Sequence, residues 1–171
     1  MLELYYQRRS CRDFDSNHPV EEEKIQKIIE AGLQAPTAKG TQNVIIIAIS
    51  DKETRDRLEA LNAKVLGTQG KTFYGAPTIL LVAAKKGIFA QLDGGATMEN
   101  LLLAATELGI DSCWIDRAKA ELESEEGREI LKSTGLNFEE YEGIGHVILG
   151  YSLSKQYRPK PIKENRVFWI K

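Results

Sequence analysis

Apolar positions along this chain recur in two rhythms, and each rhythm predicts a kind of element. Ile25, Ile28, Ile29 and Leu33 fall at helical spacing, so the stretch entered at Val20 reads as a helix with one buried stripe. Glu21, Glu22 and Glu23 occupy its first turn, where the helix dipole favours negative charge, and Pro36 ends it. Val44 to Ile49 is an unbroken β-branched run that suits a strand covered on both faces. Pro77 to Ala84 reads as a second buried strand, Ser112 to Ile115 as a short one and Gly145 to Leu149 as the last core strand.

Amphipathic stretches lie around these runs. Leu2 to Arg9 is expected to form a short helix with Leu2, Tyr5 and Tyr6 on its core side. Lys52 to Val65 is expected to turn Leu58 and Leu61 inward, and Asp93 to Leu108 to turn Met98, Leu101, Leu102 and Ala105 inward. Asp93 reads as the cap of that long helix and Gly109 as its C-terminal end. Glu121 to Lys132 reads as one further helix. Helices alternating with three or four buried strands make a layered α/β or α+β domain, and with no repeat or boundary, residues 1–171 read as a single unit.

The C-terminal tail differs in kind. Arg158-Pro159-Lys160-Pro161 must run extended, because each proline restricts itself and its predecessor. Beyond it, Val167-Phe168-Trp169-Ile170 is an apolar cluster that needs a surface to cover. Residues 156–171 are therefore expected to form an arm packing on a second subunit.

Composition narrows the chemistry. With 42% apolar residues the chain can bury a real core. A net charge of -2 gives no reason to expect nucleic acid or an anionic membrane as partner. No apolar run reaches the ~20 residues of a membrane span, and no signal peptide opens the chain. Cys11 and Cys113 form neither a disulfide framework nor a CxxC pair, which fits a reducing cytoplasm. His18 and His146 do not make a metal-ligand pattern, and no metal is expected.

Several motifs fail on context. Leu66 to Thr72 would need glycine where Val65 stands, and it follows an amphipathic helix instead of a strand, so it is a loop and not a phosphate cradle. Gly143-Ile144-Gly145 precedes a strand and lacks a third glycine, which excludes a dinucleotide fingerprint. No GxSxG is present. His146 reads as a satisfied strand residue and Cys113 as core. What stands out is Arg8-Arg9-Ser10-Cys11-Arg12, three guanidinium groups and a hydroxyl within five residues. Guanidinium forks bind phosphate oxygens in pairs at any working pH. Taken alone, the same run reads as a solvated basic turn.

Five segments in order resolve that ambiguity: Arg8-Arg9-Ser10-Cys11-Arg12; Val20 to Ala31; Ala35-Pro36-Thr37-Ala38-Lys39-Gly40-Thr41-Gln42; Asp93 to Ala105 with Leu108 to Ile115; and Leu149-Gly150-Tyr151 with the basic, Pro-rich tail. Together they resemble the nitroreductase family of FMN enzymes. The resemblance implies a layered domain around a central mixed sheet, dimeric, with an extended C-terminal arm. It also implies that Arg8, Arg9 and Ser10 hold the FMN phosphate, joined by Arg158 or Lys160 from the tail, and that Arg12 lies by the pyrimidine edge of the flavin. Pro36, Thr37, Ala38, Gly40 and Gln42 would approach the flavin from the other subunit. Trp114, Ile115 and the backbone after them would lie near its reactive edge. The chain departs from the pattern at Gly40 for Asn, Asn43-Val44 for Pro-Trp, Glu99 for Gln, and Pro159 in the register of the tail.

The activity so implied is ping-pong hydride transfer: NADPH or NADH reduces the flavin, and a nitroaromatic or quinone then takes its place and is reduced. No side chain is singled out as a catalytic acid or base. A flavin store or sensor without turnover is the alternative within the same resemblance, and a phosphate-loop enzyme is the alternative outside it.

Overall fold

The computed structural model describes residues 3–154 and 160–171. Its strands are β1 (Val44–Ile49), β2 (Thr78–Lys85), β3 (Asp111–Ile115) and β4 (Tyr141–Gly150), hydrogen-bonded in the order β1-β2-β4-β3. The helices are α1 (Glu3–Gln7), α2 (Glu22–Leu33), α3 (Lys52–Leu66), α4 (Ala90–Glu107), α5 (Ala118–Glu123) and α6 (Glu125–Ile130). Among the described residues no helix is long and apolar enough to cross a membrane.

The layered α+β architecture is as expected, but the described strand pairings are all antiparallel instead of mixed. The reason lies in the connections. After β1, the 15 residues of α3 carry the chain back by about 22 Å. Residues 67–77 then return it to the end where β1 stopped, so Ile49 pairs with Ile79 and Val44 with Ala84. The one parallel pairing described is an isolated bridge from Ser10 to Ser112.

β2 is buried along both faces, and its side chains alternate between two cores. Ile79, Leu81 and Ala83 join Ile148, Cys113 and Ile115 against Leu58 and Leu61 of α3, Leu122 of α5 and Ile130 of α6. Leu80, Val82 and Ala84 join Val147 and Leu149 against Ile28 of α2 and Met98, Leu101, Leu102 and Ala105 of α4. The inward residues expected of α3 and α4 are therefore the ones buried.

Other expectations need correction. β1 is the edge of the sheet in this chain, so Ala48 is exposed and Ile45 to Ile47 are only half-buried. α1 buries no residue, leaving Tyr5 and Tyr6 exposed; it is too short to be anchored by two core-facing turns, and Leu2 lies outside the described residues. In α2, Ile28 is fully buried and Leu33, in the last turn, is exposed. The single helix expected from Glu121 is two, broken at Ser124. The Ser124 hydroxyl caps α6 by accepting from Gly127 N–H at 3.0 Å. A Cβ at Gly127 would stand 2.0 Å from the Glu121 carbonyl oxygen, so only glycine fits this corner. In the tail, Val167, Phe168, Trp169 and Ile170 are all exposed, with no partner surface in their own chain.

Candidate functional site

The basic segment is stitched along the sheet. Cys11 N–H donates to the Ser112 carbonyl at 2.9 Å, Phe14 N–H to Tyr74 at 3.2 Å and Asp15 N–H to Tyr151 at 2.9 Å. Cys11 and Phe14 are buried in the core, whereas Ser10 and Arg12, on either side of Cys11, are exposed. Burial pushes the Cys113 thiol upward, against the opposing pull of the Arg12 charge, a hydrogen bond from Ser10 and the Arg8 charge. Arg8, Ser10 and Arg12, three of the residues expected at the phosphate and flavin edge, thus share the neighbourhood of β3 near Cys113. That shift also marks Cys113 as a core thiol and not a nucleophile.

Arg8 has a neighbour that bears on its role. Its Nε lies 3.9 Å from the carboxylate of Glu99 on α4, one of the positions that depart from the family pattern. Arg9 takes another direction: its Nη1 donates to the Arg8 carbonyl at 2.6 Å. It lines a separate cavity of about 180 Å³ with Gln7, Thr106, Asp111 and Ser112. Ser112 Oγ is buried there with no hydrogen-bond partner among the described residues. Arg8, Ser10 and Arg12 are therefore the set grouped near Cys113, and Arg9 stands beside it.

The segment Pro36 to Gln42 is a strained loop. Lys39 (φ 58°), Gly40 (φ 64°) and Gln42 (φ 47°) all adopt the left-handed region, which costs a non-glycine residue roughly 1 kcal/mol or more. Two bonds hold it. Gln42 N–H donates to Thr37 Oγ1 at 3.0 Å, and Ala38 N–H donates to Asp93 Oδ1 at 2.9 Å. Asp93 is consequently not the cap of α4, which begins three residues earlier at Ala90; from the first helical turn it caps the 38–40 turn instead. Its other oxygen, Oδ2, is buried without a partner among the described residues. Asp93 and the Glu99 that faces Arg8 are separated by about 9 Å of helical rise, so both segments flank α4 within one chain.

On β3, Ile115 is buried and Trp114 is partly exposed, its indole nitrogen lying over Gly145. A Cβ at Gly145 would come 2.7 Å from Trp114 Nε1. After Ile115 the backbone turns through Arg117 (φ 85°) into α5. A buried polar network fixes this turn: Asn62 Nδ2 donates to the Asp116 carbonyl at 3.0 Å and to Glu121, and Arg117 Nε donates to Asn62 Oδ1 at 3.1 Å. His146 Nε2 lies 2.7 Å from Glu121 Oε2, both side chains fully buried. His146 is thus a buried strand residue satisfied at Nε2 only, its Nδ1 having no hydrogen-bond partner among the described residues, so the expectation of a fully satisfied histidine is half met. Its partners Asn62, Arg117 and Glu121 went unforeseen, because nothing in their spacing announces a meeting of α3, α5 and β4.

Lys160 is exposed, and Arg158 lies outside the described residues. The donor types gathered on this segment, guanidinium groups and a hydroxyl, suit a phosphorylated ligand in charge and in hydrogen-bonding sense.

A family model described as the nitroreductase family matches residues 5–151. A protein of Archaeoglobus fulgidus, provisionally named an NADH dehydrogenase/NAD(P)H nitroreductase, is 31% identical over 137 residues, which are 76% of this chain and 75% of that protein. Among solved structures, a nitroreductase with bound FMN from Bacteroides fragilis superposes with a TM-score of 0.91 at 26% identity, covering 99% of this chain and 98% of the other. A nitroreductase with bound FMN from Desulfitobacterium hafniense gives a TM-score of 0.79 at 25% identity, covering 99% and 97%.

Proposed function

The chain belongs to the nitroreductase family, and from that premise we propose that it is an FMN-dependent oxidoreductase. It takes electrons from NADPH or NADH and passes them to an electrophilic acceptor such as a nitroaromatic or quinone, working as a homodimer in the cytoplasm. The observation that carries this reading is the placement of the Arg8 to Arg12 segment, bridged to Ser112 of β3 with Arg8 beside Glu99 of α4.

When bound, FMN supplies the two-electron chemistry that no side chain of this protein offers. Arg8 and Ser10 would hold its phosphate, joined by Arg158 or Lys160 from the tail. Arg12 would set a fixed cation by the pyrimidine edge of the flavin and would so favour the electron state with more negative charge there. The loop from Pro36 to Gln42, braced by Asp93, presents Thr37, Ala38 and Gly40 from the opposite subunit. Trp114, Ile115 and the Asp116–Arg117 turn lie by the reactive edge, where the Asn62–Glu121 network keeps backbone groups in place. No acid or base is assigned. The uncovered Val167 to Ile170 cluster supports an arm that packs on the partner.

An absorbance spectrum of the purified protein, followed by steady-state oxidation of NADPH and NADH with an added nitroaromatic or quinone, tests the proposal. A yellow protein with turnover upholds it. A yellow protein without turnover makes it a flavin store or sensor, and a colourless one that takes up no FMN overturns it.

A further inference from the structure

A cavity of about 560 Å³ opens between the 38–43 loop and the turn that follows β2. Ala38 and Gln42 line it on one side, and Ile88 and Phe89 on the other. Ile88 is 88% exposed, which is unusual for a large apolar residue and gives the cavity an uncovered apolar wall. Lys39, Lys85 and Lys86 surround the same space. Among the described residues none of these ammonium groups has a carboxylate within ion-pair distance. The acid nearest in charge to Lys86 is Glu142, and it is already engaged by Gln91 and by Lys119 at 3.1 Å. Asp93, only 5% exposed, also lines the cavity and keeps Oδ2 without a donor, and Asn43 Oδ1 is likewise buried and unpartnered.

A wall of exposed carbon, three unpaired cations and two acceptors lacking donors do not describe a place for water alone. Counting Asp93, the lining still carries two net positive charges. An apolar wall with a few convergent polar groups is the composition of a small-molecule site. We propose that this cavity is the subsite for an anionic group carried by a reactant. The reactant's flat body lies along Ile88 and Phe89, a donor on that body meets Asp93 or Asn43, and its anion meets the lysines. The proposal rests on the flavin reading above, because Ala38 and Gln42 are the residues that bring this cavity to the flavin. The anion has two possible sources: the extra phosphate that distinguishes NADPH from NADH, or an acid group on an aromatic acceptor.

The test compares charged and uncharged members of each pair on the flavin-loaded protein: NADPH against NADH, and para-nitrobenzoate against para-nitrobenzamide. Calorimetry of 2′-AMP against adenosine, and of benzoate against benzamide, reads binding without turnover. The charged member of at least one pair is expected to be favoured roughly tenfold, the scale of a hydrogen bond to a charged group. In a Lys85→Gln/Lys86→Gln variant, and in wild type at high salt, that preference falls towards parity. Which pair responds identifies the source. Parity in the wild type, or a preference that survives in the variant, overturns the proposal. If the protein holds no flavin and turns nothing over, the functional reading fails, and calorimetry still decides the subsite.

Discussion

Asp93 Oδ1 accepts the backbone N–H of Ala38 at 2.9 Å, tying the first turn of α4 to a loop 55 residues earlier in the chain. That loop holds two non-glycine residues in left-handed backbone, and this is the bond that ties it to α4, the Thr37 and Ala38 bonds lying within the loop itself. Asp93→Ala should lower stability by roughly 1.5–3 kcal/mol, the scale of a hydrogen bond to a charged acceptor. It should also weaken FMN binding, whereas Asp93→Asn, which keeps an acceptor oxygen, should retain most of both. Urea midpoints and a flavin fluorescence titration of the two variants check this; equal losses in both would remove the bond as the cause.

Arg8 and Glu99 predict opposite effects. Arg8→Ala should weaken FMN by roughly 1.5–3 kcal/mol, while riboflavin, lacking the phosphate, should bind wild type and variant about equally. Glu99→Gln removes the carboxylate 3.9 Å from Arg8 and restores the residue usual in the family, so FMN should bind more tightly. Dissociation constants for FMN and riboflavin in the two variants are the measurement.

The Tyr151 hydroxyl donates to Glu21 at 2.6 Å and, with Lys24 beside it, lowers the Glu21 carboxyl from an ordinary 4.5 to about 2. A carboxyl depressed in the folded protein stabilises it above the unfolded value and loses that contribution as pH falls through the folded one. Tyr151→Phe should therefore be less stable than wild type at neutral pH, with the gap closing between about pH 4.5 and about pH 2. Glu21 is exposed, so solvent screening keeps the effect small. Urea midpoints across that range should converge; a gap that widens towards acid would contradict the assignment.

If the arm completes the site, flavin binding and dimerisation are one equilibrium. A ligand that binds only the dimer stabilises the dimer by mass action. Deleting the residues after Lys163, which removes the exposed Val167 to Ile170 cluster, should lower FMN affinity although most basic residues remain. Sedimentation recorded at a protein and a flavin wavelength should show flavin leaving as monomer appears. A yellow monomer would defeat the linkage.

The elements with the strongest patterns were the ones legible in advance. β2 shows as an unbroken apolar run because both of its faces are covered, and α4 shows its stripe because a full helix face packs on the sheet. β1 has the same apolar signature yet forms an edge, because strand order depends on connections that composition does not encode. Asp93 was misread by a locally sound rule: an acidic residue at a helix start usually caps that helix, and here it caps a distant loop. The meeting of Asn62, Arg117, Glu121 and His146 spans residues far apart in sequence, so no local pattern could signal it. Arg8, Ser10 and Arg12 were visible because the motif is contiguous, whereas the turning away of Arg9 required the backbone.

Because successive side chains of β2 enter different cores, neither helix layer can peel away alone without stripping one face of that strand. The two layers should consequently melt as a single cooperative unit, with the β2 amides exchanging with solvent only through global opening. The strained 38–42 loop lies outside that unit and is tied to it through Asp93, so it can open at lower cost than the frame by giving up that bond. The fold therefore separates a rigid frame from the segment that must adapt to whatever it binds.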